Sequence, residues 1–166
     1  MNQLSILIPT YNKVCLELVK NLQAQASLLP YFEYEILVAD DGSTDKTTVE
    51  NNCNINKLPH CSYIEREKNV GRSAIRNFLA KEAKYEWLLY IDSNMNVINK
   101  QYLANYQYSK ECDVIYGGYQ VKRNQENLRS NLRYIFECKG TQNGDYRQRQ
   151  ENPYRKTQYY AKISVR

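Results

Sequence analysis

The sequence contains a single histidine, His60, and its five cysteines include no Cys-x-x-Cys pair. A structural zinc site takes about four closely spaced cysteine and histidine ligands, and an odd number of cysteines cannot all pair within one chain. The composition therefore argues against a zinc site and against a disulfide framework. We expect free, buried thiols and a reducing compartment, the cytoplasm.

Long apolar runs are also missing. No stretch approaches the roughly 20 apolar residues of a membrane-spanning helix, and the start Met1-Asn2-Gln3 lacks the basic residues of a secretory signal. The chain has 166 residues, of which 42% are hydrophobic and 25% are charged. This length and composition predict one globular domain with a sizeable core.

Glycine is absent where a phosphate-binding loop would need it. The first predicted strand–helix turn, Ile8–Lys13, contains no glycine, and Gly-x-Gly-x-x-Gly does not occur in the chain. Sugar nucleotidyltransferases and dinucleotide-binding Rossmann domains use such glycines to bring the backbone close to phosphates. Both classes are therefore disfavoured.

Short apolar runs alternate with helical patterns through the first 116 residues. This alternation predicts the order β-α-β-α-β-α-β through the fourth strand, followed by one more helix and strand, with a mostly parallel sheet and right-handed crossovers. We expect Ser43 or Thr44 to cap the second helix, and the third helix to start near Gly71. The predicted strands are 4–8, 35–39, 62–64, 87–91 and 114–116, and the predicted helices are 16–26, 44–49, 71–83 and a Tyr-rich helix near 100–109.

The pattern changes after Gly117-Gly118, so we divide the domain into residues 1–116 and 117–166. The second part predicts an amphipathic helix over 128–136, a polar loop over 139–158 and a strand over 160–166. A domain whose last element is a strand, with no later element to cover the sheet, is expected to be incomplete. We therefore expect either a naturally short gene or a fragment of a longer protein.

Charge is unevenly distributed between these parts. Residues 1–116 carry 12 basic and 14 acidic side chains, whereas 117–166 carry 11 basic and 4 acidic ones. The basic segment suggests a phosphate, a nucleic acid or an anionic membrane surface as its neighbour. The alternative is a solvated basic face. No base-reading motif is present, which makes nucleic acid the weaker choice.

Two acidic turns each follow a predicted buried strand: Asp40-Asp41-Gly42-Ser43 and Asp92-Ser93-Asn94. Ligands of parallel α/β sheets bind outside the carboxyl ends of the strands. The pair therefore suggests a site for a polar ligand, a metal or both. The same residues are also common as turns and helix caps, and that alternative stays open.

Four segments in order carry a resemblance to a known family. They are Ser5–Lys13, Val38–Asp45, Asn69–Asn77 with its Asn-x-Gly and Ala-x-Arg-Asn pattern, and Tyr90–Asn94 at the place of an Asp-x-Asp motif. Together they resemble the family 2 glycosyltransferases with the GT-A fold, over about the first 120 residues. The resemblance implies an α/β, Rossmann-like nucleotide-binding sandwich whose mostly parallel sheet is flanked by helices and which is truncated at its C-terminus.

Such enzymes transfer a sugar from a nucleotide-diphosphate donor, here favoured as a UDP-sugar, to an acceptor hydroxyl, usually with inversion. The resemblance places the base near Pro9-Thr10-Tyr11, where an aromatic ring offers a stacking face. It implies that Asp41 accepts a hydrogen bond from the edge of the base and that Asp92 contacts the ribose. Arg72 and Arg76 are expected near the base or the diphosphate. The implied nucleotide-binding residues are Pro9, Thr10, Tyr11, Asp40 (which supports its turn), Asp41, Gly71, Arg72, Arg76, Asp92 and Ser93.

The resemblance also implies a divalent metal, Mn²⁺ or Mg²⁺, at Asp92 and Asn94. In similar proteins the last position of the motif is an acid that binds the metal on the diphosphate. Asn94 supplies a neutral carbonyl oxygen instead, so we expect weaker metal binding, or a metal held mainly by the donor. The family's catalytic base lies beyond the end of this chain, and we assign none.

The implied partners are the nucleotide-sugar donor and a glycan or lipid-linked acceptor, in polysaccharide synthesis. The basic segment 117–166 suggests peripheral contact with the cytoplasmic face of a membrane. The alternative function is a non-catalytic or truncated nucleotide-sugar-binding module, because the last metal position is neutral and no catalytic base is present.

Overall fold

A computed structural model describes residues 2–107, 115–118 and 157–160 of the chain. Its main element is a four-stranded parallel sheet with the strand order β3-β2-β1-β4. The strands are β1 (Gln3–Thr10), β2 (Glu33–Asp40), β3 (Cys61–Glu65) and β4 (Leu88–Tyr90). The predicted parallel α/β sheet is confirmed.

Helices connect these strands. They are α1 (Leu16–Ser27), α2 (Lys46–Cys53) with a 3₁₀ turn at Asn54–Lys57, α3 (Arg72–Glu82) and the short α4 (Ala104–Gln107). Two further strands, β5 (Ile115–Gly118) and β6 (Thr157–Tyr160), pair with each other in a separate two-stranded sheet. In the described ranges, no helix combines the length and the hydropathy that a membrane span requires.

The central strands β1 and β2 are buried on both faces, which explains their continuous apolar sequences. Ile6 lies beside Ile36 in the parallel register, and both are fully buried. On one face these residues pack with Val19 of α1, and on the other face Leu7 packs with Leu79 of α3. The sheet is therefore the middle layer of a sandwich.

The cap of α2 corrects a prediction. Asp45, and not Ser43 or Thr44, caps this helix: its carboxylate accepts hydrogen bonds from the Thr47 amide at 3.1 Å and the Thr48 hydroxyl at 2.6 Å. Ser43 and Thr44 instead contact the loop after β1, as described below.

The predicted start of the Tyr-rich helix near residue 100 is wrong, because residues 100–103 form turns and α4 begins at Ala104. Its predicted end near residue 109 lies outside the described residues. The preceding segment is tied to α1 by side chains: Asn21 Nδ2 donates to the Val97 carbonyl at 2.8 Å, Gln25 Nε2 donates to the Asn99 carbonyl at 3.0 Å, and Gln25 Oε1 accepts from the Leu103 amide at 3.3 Å. The last two bonds occupy the Leu103 amide and the Asn99 carbonyl, which would bond to each other in a helix that began at residue 100.

The part after residue 116 is described only in its two strands. β6 contains residues 157 and 158, which were predicted to lie in a loop, so that boundary was wrong. The predicted helix over 128–136 and most of the predicted loop lie outside the described residues. The division at residue 116 stays a prediction.

Candidate functional site

The candidate site lies at the carboxyl ends of β1, β2 and β4. The Asp41 amide donates to the Thr10 carbonyl at 2.9 Å, so the turns after β1 and β2 start side by side. Asp92 follows β4 on the other side of β1. The N-terminal end of α3 and the two residues before it contact both acidic turns.

Asp40 supports its turn, and it is completely buried. Its Oδ1 accepts a hydrogen bond from the Ser43 amide at 2.7 Å, and its Oδ2 accepts one from the Tyr63 hydroxyl at 2.7 Å. Burial and the bond to Asp40 raise the pKa of Tyr63 well above its usual range. The Tyr63 hydroxyl donates this bond and the Asp40 carboxylate accepts it, so Asp40 faces the protein and not solvent.

Asp41 connects its turn to the start of α3. Its Oδ1 accepts from the Val70 amide and its Oδ2 from the Gly71 amide, both at 2.9 Å. A carboxylate offers about four acceptor positions, so two remain for a ligand. The resemblance assigns the base edge to Asp41, and that role stays a prediction.

Gly42 allows this close approach of two loops. Its φ is +72°, and a Cβ atom there would lie 2.6 Å from the Asn69 nitrogen and 2.6 Å from the Lys68 carbonyl carbon. Contacts this short with backbone atoms cannot be relieved by a side-chain rotation. The glycine of the Asp-Asp-Gly-Ser turn is therefore required by packing as well as by its backbone conformation.

The exit from β1 presents an aromatic ring. Pro9 is half-buried, and Thr10 is buried with its hydroxyl donating to the Lys13 carbonyl at 2.9 Å. Tyr11, by contrast, is 47% exposed. Among the three residues predicted to pack against the base, Tyr11 therefore offers the accessible stacking surface.

Asn12 joins the turns after β1 and β2, and we had given it no role. Its backbone lies in the left-handed region with φ of 46°. Its Oδ1 accepts from the amides of Thr44 at 2.9 Å and Asp45 at 3.0 Å, and its own amide donates to Ser43 Oγ at 2.7 Å. These bonds hold Tyr11 in place beside the acidic turn.

Two arginines of α3 face Asp92. Gly71 precedes the helix with φ of 91°, and Arg72 and Arg76 lie one turn apart on it. Arg76 Nη2 lies 2.6 Å from Asp92 Oδ1, and Arg72 Nη2 lies 3.9 Å from Asp92 Oδ2. The cluster thus has one more positive than negative charge. The Tyr90 hydroxyl donates to the Arg76 carbonyl at 2.8 Å.

The predicted metal residues form an incomplete donor set. Ser93 is half-buried and Asn94 is exposed. Among the residues that the structure describes, no group of three or more histidine, cysteine or acidic side chains could hold a metal ion. Asp92 and Asn94 supply one carboxylate and one amide oxygen, which suits an ion that takes its other ligands from phosphates and water.

Tyr63 is the functional candidate that the sequence did not reveal. It was predicted only as part of a short strand. Its contact with Asp40 follows from the strand register, in which Tyr63 lies beside Val38, two residues before Asp40. The signal that could have found it is a residue with a hydroxyl near the end of a strand adjacent to the acidic turn.

Comparison with known proteins gives a match to the family model "Glycosyl transferase family 2" over residues 5–163. A poly(ribitol-phosphate) beta-glucosyltransferase of Bacillus spizizenii is 37% identical over 112 residues, which is 66% of this chain and 17% of that protein. The poly(ribitol-phosphate) beta-N-acetylglucosaminyltransferase TarS of Staphylococcus aureus is 37% identical over 108 residues, 63% of this chain and 18% of TarS. The chain thus spans less than a fifth of the length of these two relatives.

Solved structures match as well. The crystal structure of S. aureus TarS 1-349 in complex with UDP-GlcNAc has a TM-score of 0.56 at 30% identity, and the match covers 75% of this chain and 36% of that one. The mannosyltransferase PcManGT from Pyrobaculum calidifontis, in complex with GDP-Man and Mn2+, has a TM-score of 0.55 at 20% identity, with 78% of this chain and 38% of that one covered. The second similarity concerns the fold alone.

Proposed function

This chain belongs to glycosyl transferase family 2 and has the GT-A fold, and from that premise we propose that residues 1–116 bind the nucleotide-diphosphate sugar of a glycosyltransferase. The observation that carries the proposal is the N-terminal end of α3, where Gly71 before the helix binds Asp41 and where Arg72 and Arg76 on the helix face Asp92. One surface thus offers acceptors for a nucleoside and cations for a diphosphate.

The nucleoside is proposed to lie between Tyr11 and Asp41. The exposed Tyr11 ring can stack on the base. The remaining acceptor positions of Asp41 require a base edge that donates an N–H, as N3 of uracil does. The TarS structures with UDP-GlcNAc and with UDP support a UDP-sugar as the donor. Asp92 and Ser93 are then placed to accept or donate at the ribose.

The diphosphate is proposed to contact Arg72 and Arg76. Guanidinium groups match the geometry of phosphate oxygens and form charge-assisted hydrogen bonds with them. Arg76 Nε is buried and has no hydrogen-bond acceptor in the described part of the chain. A ligand oxygen would reach this donor only after a rotation of the guanidinium, whereas the side chain as a whole is 36% exposed.

A divalent cation, Mn²⁺ or Mg²⁺, is proposed to bind together with the donor. Without ligand, Asp92 is already neutralised by two arginines, so the cluster repels a free cation. The negative charges of a diphosphate reverse this balance. Two protein oxygens would then complete the ligands of the cation: Asp92 Oδ2, which has only the 3.9 Å contact with Arg72, and the amide oxygen of the exposed Asn94. The cation would neutralise charge on the leaving diphosphate.

The acceptor is proposed to be the hydroxyl of a glycan or lipid-linked polymer, in polysaccharide synthesis. The poly(ribitol-phosphate) relatives support a phosphate-rich acceptor. The excess of basic residues in 117–166 supports contact with such an anion or with an anionic membrane at its cytoplasmic face. The catalytic base stays unassigned.

The second candidate is a nucleotide-sugar-binding module without turnover. One observation favours it: Asn94 stands where the family has an acid. A measurable rate of sugar transfer or of UDP-sugar hydrolysis by the chain would exclude this candidate.

Calorimetry and thermal unfolding with UDP, with and without Mn²⁺, test the donor proposal. We expect UDP to raise the melting temperature and CDP to do so far less, because N3 of cytosine carries no proton for Asp41. The two ligands differ only at the base, so CDP is a matched control. The absence of any shift with UDP under both conditions would contradict the proposal.

A further inference from the structure

Tyr63 has a contact that its position in the core does not require. The side chain is 8% exposed and packs with the residues of β1 and β2. Phenylalanine would fill the same apolar space. Only the hydroxyl distinguishes Tyr63 from a purely apolar core residue, and this hydroxyl donates to Asp40 at 2.7 Å.

Asp40 depends on this donor. A fully buried carboxylate is costly unless hydrogen bonds compensate for lost hydration. The Asp40 side chain has two of them, from the Tyr63 hydroxyl and from the Ser43 amide. Removal of the first leaves Oδ2 without its partner, and the carboxylate is then free to rotate away from Ser43.

Both sides of the candidate nucleotide site are attached to the Asp40 turn. On one side, Ser43 Oγ accepts from the Asn12 amide, directly after Tyr11. On the other side, Asp41 accepts from the Val70 and Gly71 amides at the start of α3. The orientation of Asp40 thus influences both the stacking ring and the loop that precedes the arginines.

We propose that Tyr63 is a positioning residue for nucleotide binding, which acts by holding the Asp40 carboxylate and hence the turn that carries Asp41. It does not contact the ligand itself. This inference rests on the proposed function of the same site, and it adds a residue of β3 to a site otherwise formed by the other strands and α3.

The test compares Tyr63→Phe with Tyr34→Phe in the full chain, with UDP as the probe. Tyr34 is a matched control because it is equally buried and also loses one hydroxyl contact, with Gln23 at 3.4 Å, but it lies at the opposite end of β2. We expect Tyr63→Phe to weaken UDP binding by roughly threefold to tenfold through the lost charge-assisted bond. Tyr34→Phe should bind UDP like the wild type.

The coupling to Asp40 separates positioning from general loosening of the core. In an Asp40→Asn background, Tyr63→Phe should have little further effect on UDP affinity, because the acceptor is already altered. An equal loss in both backgrounds would overturn the inference, as would equal losses in Tyr63→Phe and Tyr34→Phe.

Three further outcomes are decisive. If Tyr63→Phe does not fold, Asp40→Asn replaces it, and unchanged UDP affinity in that variant would overturn the inference. A wild-type chain that binds no UDP would contradict the proposed function. A wild-type chain and a Tyr63→Phe variant that bind UDP equally well would overturn only the role of Tyr63.

Discussion

Replacement of Arg76 by glutamine should weaken nucleotide binding far more than it weakens the fold. The Arg76–Asp92 pair is short, but about a third of each side chain is exposed: 36% for Arg76 and 33% for Asp92. Ion pairs with this exposure are screened by water and contribute about 0–1 kcal/mol to stability. We therefore expect a decrease of at most about 1 kcal/mol in the free energy of unfolding.

The effect on ligand binding should be larger because Arg76 is one of the two arginines proposed to bind the diphosphate directly. Hydrogen bonds to charged groups contribute about 1.5–3 kcal/mol. Their loss corresponds to roughly 10-fold to 150-fold weaker UDP binding. Uridine lacks the diphosphate, so its affinity should change little.

Isothermal titration with UDP and with uridine, beside urea unfolding, measures these quantities. Lys81→Gln is the matched control, since Lys81 is an exposed cation near the other end of α3. It removes the same charge from the same helix without removing a group from the site. Unchanged UDP affinity in Arg76→Gln, or an equal loss for uridine, would refute the assignment of Arg76 to the diphosphate.

Three other predictions concern stability, thiol reactivity and metal binding. Gly42→Ala should lower the free energy of unfolding by about 3–4 kcal/mol, because backbone strain and a clash with backbone atoms add. Gly71→Ala has open space for a Cβ atom and should lower it by only about 1–2 kcal/mol, from strain alone. Thermal or urea unfolding compares the two variants, and equal losses would contradict the clash at Gly42. Burial, and then the charge of Asp40, raise the pKa of the Cys15 thiol to about 12. Iodoacetamide at pH 8 should therefore leave Cys15 unmodified in the folded chain while it alkylates the exposed Cys53. Peptide mapping before and after addition of urea checks this, and labelling of Cys15 before urea is added would disprove its burial. Mn²⁺ alone should leave the melting temperature unchanged, but in the presence of UDP it should raise the melting temperature above the value with UDP alone. Asn94→Asp should enlarge this increase by Mn²⁺ in the presence of UDP. A shift caused by Mn²⁺ alone would show that the cation binds without the donor.

The sheet could be predicted because its strands are buried on both faces. Strands such as Ile6–Ile8 and Ile36–Val38 have no polar residue that would interrupt them, so their sequences are distinct from the amphipathic helices between them. The acidic turns could be located for the same reason, because each follows the end of such a run. The start of α3 could also be predicted locally, because Gly71 directly precedes the helical pattern of apolar residues.

Other features depend on contacts between distant parts of the chain. Ser43, Thr44 and Asp45 are all good capping residues. Asp45 caps the helix because Asn12, from the loop after β1, binds the two preceding residues. Local propensity does not contain that information. The same holds for Tyr63, whose hydroxyl reaches Asp40 only because of the register between β2 and β3.

The attachment of residues 97–103 to α1 has a consequence for protein engineering. Three backbone groups of this segment, the Val97 and Asn99 carbonyls and the Leu103 amide, find their partners on Asn21 and Gln25. A graft of the segment into a related scaffold that lacks these two side chains would leave the Val97 carbonyl and the Leu103 amide unsatisfied, at about 1–3 kcal/mol each where they are buried, whereas the Asn99 carbonyl would keep its bond from the Tyr102 amide. Functional chimeras must therefore exchange α1 and the segment after Asp92 as one cassette, although more than 60 residues separate them in the sequence.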